Sequence, residues 1–546
     1  MQRHVIAKCG LAYGLVFAGA VFLLLGAACS HPATGPDTSQ TPPGDCRDSE
    51  CPTGEECGGA GCIAVRPTLY PHIQLASVLL RDYKDDGEIT WRAQHADLLI
   101  GKSAVYADEL RSANPNIRLF DYTTFRYFSA SEDADEWAAS NGYSTEDFFL
   151  HYREDVHVPA YESIVLVPGF APGVVPGWNP NAAPDDPPAS ATDRSQSRAF
   201  GLADVAHEPW TLANITDPGY RQYLADKMER QLDGSLYSAV NASGPAEGLM
   251  VDHGVYYPRF GEGVLEKTNE FYELPLDDAH PYALGFLSFY TELREALESR
   301  MPGAVEIMPN FSDAGYFICA DPLSQGALEL VDWAWAEVWV LYRAISSPTK
   351  GSYRAITYER DYETVVANIV RQTRAGGRTV LGARDLTFAS AGTDRGKLFT
   401  LALYYLVHNP NTFYEFESLN SHSYQAHISQ WQWNPAVAYD IGQPAPVAGG
   451  HVDFEGETGT TEHYEFAAGP DPHDPSLTYH VLARSFTNGM VLVKMLPTGS
   501  VVDDASVTTH ALDRPYKILR ADGTPGGEVV TEVSIRNNEG IILVLP

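Results

Sequence analysis

The central part of the chain alternates short apolar runs with longer stretches in which apolar residues recur near helical spacing. The apolar runs predict strands at His72–Val78, Asp97–Gly101, Ile117–Asp121, Gly248–Asp252, Val305–Asn310, Asp332–Glu337, Thr379–Ala383 and Thr412–Phe416. The amphipathic stretches predict helices at Tyr220–Leu232, Leu284–Met301, Tyr362–Thr373 and Lys397–Val407. Asp217 and Pro218 indicate a helix start, because aspartate is a favoured N-cap and proline suits the first helical position.

Eight strands that alternate with helices indicate a parallel sheet, and eight is the number of strands in a (β/α)8 TIM barrel. We therefore predict an α/β fold with the barrel at 67–435. A doubly wound sheet is the alternative, but a Gly-rich dinucleotide-binding fingerprint does not follow the first strand. The connection after the third strand is rich in proline, glycine and serine, which predicts a long functional loop at about 168–200.

The pattern changes near Tyr439. Short β-type runs follow, separated by Gly, Asp and Asn turns and without a helical period, at Tyr479–Ala483, Met490–Met495, Val529–Val533 and Gly540–Leu545. These runs predict an antiparallel β-sandwich at 439–546, C-terminal to the barrel.

The N-terminus has the order of an export signal. Arg3 and Lys8 precede an almost wholly apolar run that ends in small residues, which predicts a signal peptide at 1–28. Cys29 follows directly, as in the lipobox of bacterial lipoproteins, and predicts lipidation; a plain signal with a coincidental cysteine is the alternative. Ser30 provides no inner-membrane retention signal of the aspartate type, so we expect a lipid anchor on the outer membrane or cell surface of a bacterium.

A tether and a cysteine-rich segment separate this signal from the barrel. Residues 29–44 are rich in Pro, Thr and Ser and predict a flexible linker. The segment 45–66 contains Cys46, Cys51, Cys57 and Cys62, which predict two disulfides with three possible pairings. Zinc is the competing interpretation, but the spacing is not a paired Cys-x-x-Cys and no histidine lies between the cysteines.

Charge and composition exclude some classes of function. The 546 residues include 37 Lys and Arg and 71 Asp and Glu, a net charge of −34. Such a surface repels phosphate backbones, so no nucleic-acid partner is expected. The chain has no Gly-x-Ser-x-Gly elbow and no His-Glu-x-x-His motif, and we predict neither a cofactor nor a metal. The sequence leaves the oligomeric state open.

Carboxylates at the ends of the predicted strands carry the chemistry. Asp252 ends the fourth strand, and Tyr256 lies just beyond it. Period-two geometry puts Glu337 on the same strand face as Trp333 and Trp335. Further acids lie near the ends of other strands, namely Asp121, Asp385 and Glu415. Each alone is explained as a cap or ion-pair partner, but a barrel brings all strand ends to one rim, which favours one polar site.

Paired carboxylates beside aromatic rings are typical of glycoside hydrolysis, in which one acid donates a proton and the other attacks or activates water. We predict Asp252 as nucleophile or base and Glu337 as general acid, although the reverse assignment stays open. Desolvation by the flanking tryptophans is expected to raise the pKa of Glu337. The predicted contacts to a carbohydrate substrate are Asp121, Tyr122, Lys102, His253, Tyr256, Trp333, Trp335, Arg384, Asp385 and Glu415.

Two other functions fit the same pattern. A non-catalytic carbohydrate-binding surface lipoprotein would bind glycans through the same rim without a catalytic pair. A metal-dependent barrel hydrolase is weakened by the missing histidine pairs, although an all-carboxylate site stays open.

Three segments carry a family resemblance: VDHG at the fourth strand, ANITDPGYRQYLADKM before it and ARSFTNGMVLVKMLP in the C-terminal region. With these segments the chain from Tyr70 to Pro546 resembles the hypothetical glycosyl hydrolase-like family fifteen and, more distantly, the endo-α-1,4-polygalactosaminidases. The resemblance implies a TIM barrel, a carbohydrate substrate and a carboxylate mechanism. Of the site residues it carries over Asp252 alone, and it does not imply a particular sugar.

Overall fold

The computed structural model describes most of the predicted barrel strands and most of the C-terminal region. The described residues are 55–58, 61–64, 73–79, 85–101, 103–125, 128, 131–151, 213–232, 246–252, 281–300, 305–310, 330–342, 377–385, 393–418, 433–445, 463–495 and 506–546. Among them, two compact units are centred on Ala76–Trp339 and on Leu381–Pro546.

The described strands fall into three groups in chain order. An N-terminal pair comprises β1 (Glu55–Gly58) and β2 (Gly61–Ala64). The barrel strands are β3 (Gln74–Leu79), β4 (Leu98–Gly101), β5 (Arg118–Thr124), β6 (Gly248–Asp252), β7 (Glu306–Pro309), β8 (Trp333–Tyr342), β9 (Arg378–Asp385) and β10 (Thr412–Ser418). The C-terminal strands are β11 (Tyr464–Pro470), β12 (Thr478–Phe486), β13 (Gly489–Lys494), β14 (Val507–Leu519), β15 (Pro525–Arg536) and β16 (Glu539–Val544).

The described helices are α1 (Asp86–His95), α2 (Ala107–Ala113), α3 (Glu132–Asn141), α4 (Pro218–Leu232), α5 (Pro281–Arg300) and α6 (Asp394–Val407). Short 3₁₀ turns lie at Ala104–Tyr106, Thr145–Phe148 and Pro435–Ala438. The predicted N-cap of α4 is confirmed, because the backbone N–H of Tyr220 donates to Asp217 Oδ1 at 2.8 Å. Within the described residues, no helix combines the length and the apolar character needed to cross a membrane.

Eight strands form one sheet in the order β7-β6-β5-β4-β3-β10-β9-β8, so every strand lies beside its neighbours in the chain. The outer strands β7 and β8 meet through a parallel bridge between Asn310 and Trp335. This order confirms the prediction of a TIM barrel, and all eight predicted strands are present. β4 is buried on both faces, as expected for a strand between a barrel interior and a layer of helices.

Gly248 allows the barrel interior to pack at the start of β6. A Cβ at this position would lie 2.4 Å from the Phe120 ring and 2.7 Å from the carbonyl oxygen of Glu306. Real Cβ atoms do not approach other atoms so closely, so the glycine makes room for a large ring from the neighbouring strand.

The C-terminal strands differ from the prediction. The described residues form a single six-stranded antiparallel sheet, β11-β12-β13-β16-β14-β15, instead of the two sheets of a sandwich. Phe466 of β11 lies with its ring 5.9 Å from that of His510 of β14, although three strands separate β11 from β14 in this order. The sheet therefore curls, and register shifts in the β11–β12 and β14–β15 pairs supply the bending that bulges provide. A curled sheet covers its own apolar face, so it needs no second sheet.

Helix α6 packs against the same sheet. The guanidinium of Arg484 in β12 is buried and donates to the carbonyl oxygens of Tyr405 at 2.9 Å and His408 at 2.6 Å. Carbonyls at a helix C-terminus have no partners within the helix, and a cation there is favoured by the helix dipole. Gly540 in β16 lies so close to the helix that a Cβ would be 2.7 Å from the Ala402 methyl group.

A buried polar cluster lies between β13 and the loops beside it. The Lys494 ammonium is fully buried and donates to the carbonyl oxygen of Ser506 at 2.9 Å and to its hydroxyl at 3.0 Å. That hydroxyl in turn donates to Asp471. Burial lowers the pKa of Lys494 to about 8, which the nearby Asp471 and Glu539 carboxylates only partly oppose.

Several predicted segments lie outside the described residues: the signal peptide, Cys29, the linker, Cys46, Cys51, the loop at about 168–200 and the helix Tyr362–Thr373. β1 and β2 form an antiparallel hairpin in which the backbones of Cys57 and Cys62 face each other. The two disulfides and the lipid anchor stay predictions.

We expect Gly248→Ala to destabilise the barrel, because the added methyl group overlaps both the Phe120 ring and a backbone carbonyl. The free energy of unfolding in urea should fall by about 2–3 kcal/mol. Gly527→Ala is the matched control, since a Cβ there meets no atom within 4 Å. Equal losses for the two variants would contradict the packing described for Gly248.

The low pKa of Lys494 predicts a pH dependence of stability. Between pH 8 and 10.5 the unfolded chain keeps a proton that the folded protein has released, so stability rises with pH in this window. Relative to Lys494→Met, the free energy of unfolding should rise by at most about 3 kcal/mol across it. Denaturant unfolding at several pH values measures the free energy of unfolding of both proteins. If it changes with pH by the same amount in the wild-type protein and in Lys494→Met, the predicted contribution of Lys494 is excluded.

Candidate functional site

Asp252 lies at the carboxyl end of β6, where its carboxylate receives two short hydrogen bonds. The Tyr122 hydroxyl donates to Oδ2 at 2.7 Å, and the Asn310 amide nitrogen donates to Oδ1 at 2.7 Å. Asn310 is buried, whereas Asp252 and Tyr122 are partly exposed. The carboxylate is thus fixed from two sides and still reachable by solvent.

Strand register explains why these three residues meet. Asp252 is paired with Thr124 of β5, and Tyr122 is two positions earlier on the same face of that strand. On the other side, the Asn310 backbone N–H donates to the Val251 carbonyl oxygen at 2.8 Å. Three adjacent parallel strands therefore end at one place on the rim where barrel active sites form.

β8 continues this row of strand ends. Its Trp335 bridges to Asn310, and its side chain is almost fully buried. The backbone of Glu337 belongs to the same strand, two residues closer to the carboxyl end. The Glu337 side chain lies outside the described part of the structure.

Trp333 occupies the opposite, N-terminal end of the barrel. Its indole N–H donates to Glu306 Oε2 at 2.8 Å, and the guanidinium groups of Arg118 and Arg378 lie 5.3 and 5.1 Å from the ring centroid. Both arginines also pair with Glu306. The ring is fully buried. Trp333 therefore belongs to the barrel floor and does not form the sugar platform that the sequence predicted.

Asp121 also has a different role from the predicted one. It is fully buried and accepts a hydrogen bond from Gln231 of α4 at 2.7 Å, so it faces the helix layer. Tyr122, the next residue, faces the barrel interior. Adjacent residues of a strand point to opposite faces, so the two cannot both enter the site.

The acids of the last two barrel strands are buried as well. Asp385 Oδ2 accepts from the backbone N–H and the hydroxyl of Thr393, at 2.6 and 2.8 Å, and Thr393 caps α6. Asp385 therefore orders a helix start instead of meeting substrate. Glu415 of β10 is fully buried, and its neighbour Tyr414 forms a 2.8 Å hydrogen bond with Thr400 of α6. Tyr414 therefore faces the helix layer, and Glu415 is on the strand face toward the barrel interior. Burial raises the pKa of Tyr414 well above its usual value.

The remaining predicted contacts are not described at the side-chain level. Lys102, His253 and Tyr256 lie outside the described residues, and of Arg384 only the backbone, within β9, is described. In the described part of the chain, no group of three or more His, Cys, Asp or Glu side chains has the arrangement of a metal site.

The sequence did not single out Asn310 as a functional residue. It ends the run VEIMPN and is neither a carboxylate, an aromatic residue nor a cation, the residue types that indicated the candidate site. The sequence feature that could have identified Asn310 is a polar amide directly after an apolar strand.

Comparison with known proteins does not identify a family for this chain. No protein-family model matches this chain, and no curated protein matches it. Among solved structures, the glycoside hydrolase domain of PelA from Pseudomonas aeruginosa is 10% identical with a TM-score of 0.32, over 64% of this chain and 97% of that one. The Nostoc punctiforme debranching enzyme, soaked with acarbose, is 9% identical with a TM-score of 0.35, over 87% and 97%.

A third solved structure is a GH31 family sulfoquinovosidase from E. rectale in complex with an aza-sugar inhibitor. It is 10% identical with a TM-score of 0.41, over 88% of this chain and 63% of that one. Because all three TM-scores lie below 0.5, these similarities assign neither a family nor an activity to the chain.

Proposed function

We propose that this protein is a glycoside hydrolase that cleaves a polysaccharide or oligosaccharide with two carboxylates. Asp252 acts as nucleophile or base and Glu337 as general acid. The observation that carries the proposal is the Asp252 carboxylate, which is partly exposed at the carboxyl end of β6 and held by Tyr122 and Asn310. A carboxylate presented in this way at a barrel rim suits attack on an anomeric carbon or activation of water.

The position of Glu337 supports the pairing. It is four residues beyond Trp333, whose ring faces the barrel interior, so period-two geometry assigns position 337 to the interior face. Trp335 is level with Asn310 in the neighbouring strand. With strands about 4.8 Å apart and a rise of about 3.3 Å per residue, the Asp252 and Glu337 Cα atoms are roughly 12 Å apart.

That spacing is compatible with glycosidase chemistry. The two carboxyl groups of retaining and inverting enzymes lie about 5–9.5 Å apart, a range that side chains attached to Cα atoms roughly 12 Å apart can reach. Lys102, His253, Tyr256 and Arg384 are the proposed substrate contacts, because in the sequence each ends or follows a barrel strand. The three segments that resemble family fifteen, VDHG among them, support a carbohydrate substrate and a carboxylate mechanism.

We expect Asp252→Asn and Glu337→Gln to lower turnover of the substrate by roughly 10²–10⁴-fold, because each removes a group needed for proton transfer or attack. Reducing-end release from a panel of glycans, with the wild-type protein as reference, measures the loss. Asp121→Asn is the matched control, since Asp121 is on the neighbouring strand but faces the helix layer, and it should retain turnover.

Two outcomes would contradict this proposal. Full turnover in both Asp252→Asn and Glu337→Gln would exclude the two residues as catalytic. Glycan binding by the wild-type protein without any cleavage would instead favour a carbohydrate-binding lipoprotein.

We also propose that the protein is exported and lipid-anchored through Cys29, because small residues precede this cysteine at the end of the apolar run. Mass spectrometry of the mature N-terminus should find a lipid-modified Cys29. An unmodified residue beyond Cys29 at the N-terminus would overturn the anchor, and Cys29→Ser should release the protein from membranes.

A further inference from the structure

We infer that Tyr122 and Asn310 are positioning residues, which hold Asp252 as an ionised carboxylate directed into the barrel. Neither residue is proposed to touch the reacting atoms. The inference rests on the proposed function for its consequence in catalysis, but the contacts themselves stand independently of it.

The chemistry of the two donors favours the charged form of Asp252. The Asn310 Nδ2 atom can only donate, so Oδ1 at 2.7 Å must accept. The Tyr122 hydroxyl donates to Oδ2 at 2.7 Å. Hydrogen bonds to the carboxylate stabilise its ionised state over its protonated state.

The surrounding backbone keeps both donors in place. Asn310 is buried, and its N–H is bonded to Val251, directly before Asp252. Tyr122 is held from the other side of β5, because its carbonyl oxygen accepts from the Gln231 side chain of α4 at 2.5 Å. The donors therefore come from rigid elements, which give more exact positions than loops do.

Glu306 and Asp252, two of the carboxylates on the interior face of the barrel, have different hydrogen-bond partners. At the floor, Glu306 is paired with the guanidinium groups of Arg118 and Arg378, which cancel its charge. At the rim, the two 2.7 Å bonds to Asp252 come from the neutral groups of Tyr122 and Asn310.

An ionised Asp252 cannot donate a proton. It is therefore the nucleophile or the base, and the proton for the leaving group comes from the other carboxyl group, Glu337. Among the described residues, the titratable groups next to Asp252 are Tyr122 from β5 and, at its backbone position in β8, Glu337, while β7 contributes the neutral Asn310.

The test measures the pH profile of turnover in Tyr122→Phe and Asn310→Leu. Removing either donor should move the acidic limb of kcat/KM up by about one pH unit, since Asp252 then takes up a proton more readily. kcat should fall about tenfold while KM changes less than twofold, because only the reacting carboxylate loses its position. An unchanged acidic limb in both variants would overturn the inference.

Tyr223→Phe is the matched control. Its hydroxyl also lies near a carboxylate, 3.4 Å from Asp133, but this pair joins α4 to α3 outside the barrel interior. The control should leave the pH profile and kcat at wild-type values. A general effect of losing a tyrosine hydroxyl would appear in it and would count against a specific role for Tyr122.

A double-mutant cycle in thermal unfolding separates this inference from the proposed function. At pH 7, Tyr122→Phe should lower the midpoint by about 2–4 °C in the wild-type background and by much less in Asp252→Asn. If the protein shows no turnover but the effect of Tyr122→Phe on the unfolding midpoint still depends on Asp252, the glycosidase proposal is refuted and the positioning role stands. If the protein turns over substrate but shows neither this dependence nor the shift of the acidic limb, the positioning role is refuted.

Discussion

Closing a parallel sheet on itself gives each strand one face toward the barrel interior and one toward the helices, and neighbouring residues must take opposite faces. This constraint decides which of the described acids on the barrel strands face the interior. Asp121 and Tyr122 are adjacent in β5, yet the first binds Gln231 in the helix layer and the second binds Asp252 inside the barrel. Asp385 likewise binds the start of α6. A carboxylate near a strand end is therefore a candidate only when its face is right.

The same strands build both ends of the interior in opposite ways. β5, β7 and β8 begin with Arg118, Glu306 and Trp333, which form a closed network of charge and ring contacts at the floor. Toward the carboxyl ends of the strands, the uncharged side chains of Tyr122 and Asn310 donate hydrogen bonds to Asp252. At the floor, Glu306 pairs with Arg118 and Arg378, whereas the Asp252 carboxyl group at the rim is bonded by Tyr122 and Asn310 and belongs to a partly exposed residue. This division agrees with the general placement of barrel function at the carboxyl face.

In the C-terminal unit, both faces of the antiparallel sheet are covered and its buried cations have oxygen partners. One face of its curled sheet encloses an apolar cluster, and the other packs on α6, whose C-terminal carbonyls bind the buried Arg484. Lys494 is buried in the same sheet with its ammonium bonded to Ser506. Both cations are buried with oxygen partners, which avoids the cost of an unpaired buried charge.

The sequence alone determined the eight barrel strands, the start of α4 and the importance of Asp252, because strand and cap signals are local and an acid after an apolar run is visible in one dimension. Only the tertiary structure decided that Trp333 belongs to the floor, that Asp121 faces a helix and that Asn310 supports the candidate site. Among the described C-terminal residues, it also showed one curled antiparallel sheet where a sandwich was predicted. These properties depend on register between strands distant in sequence, and apolar periodicity carries no information about which strand a side chain meets.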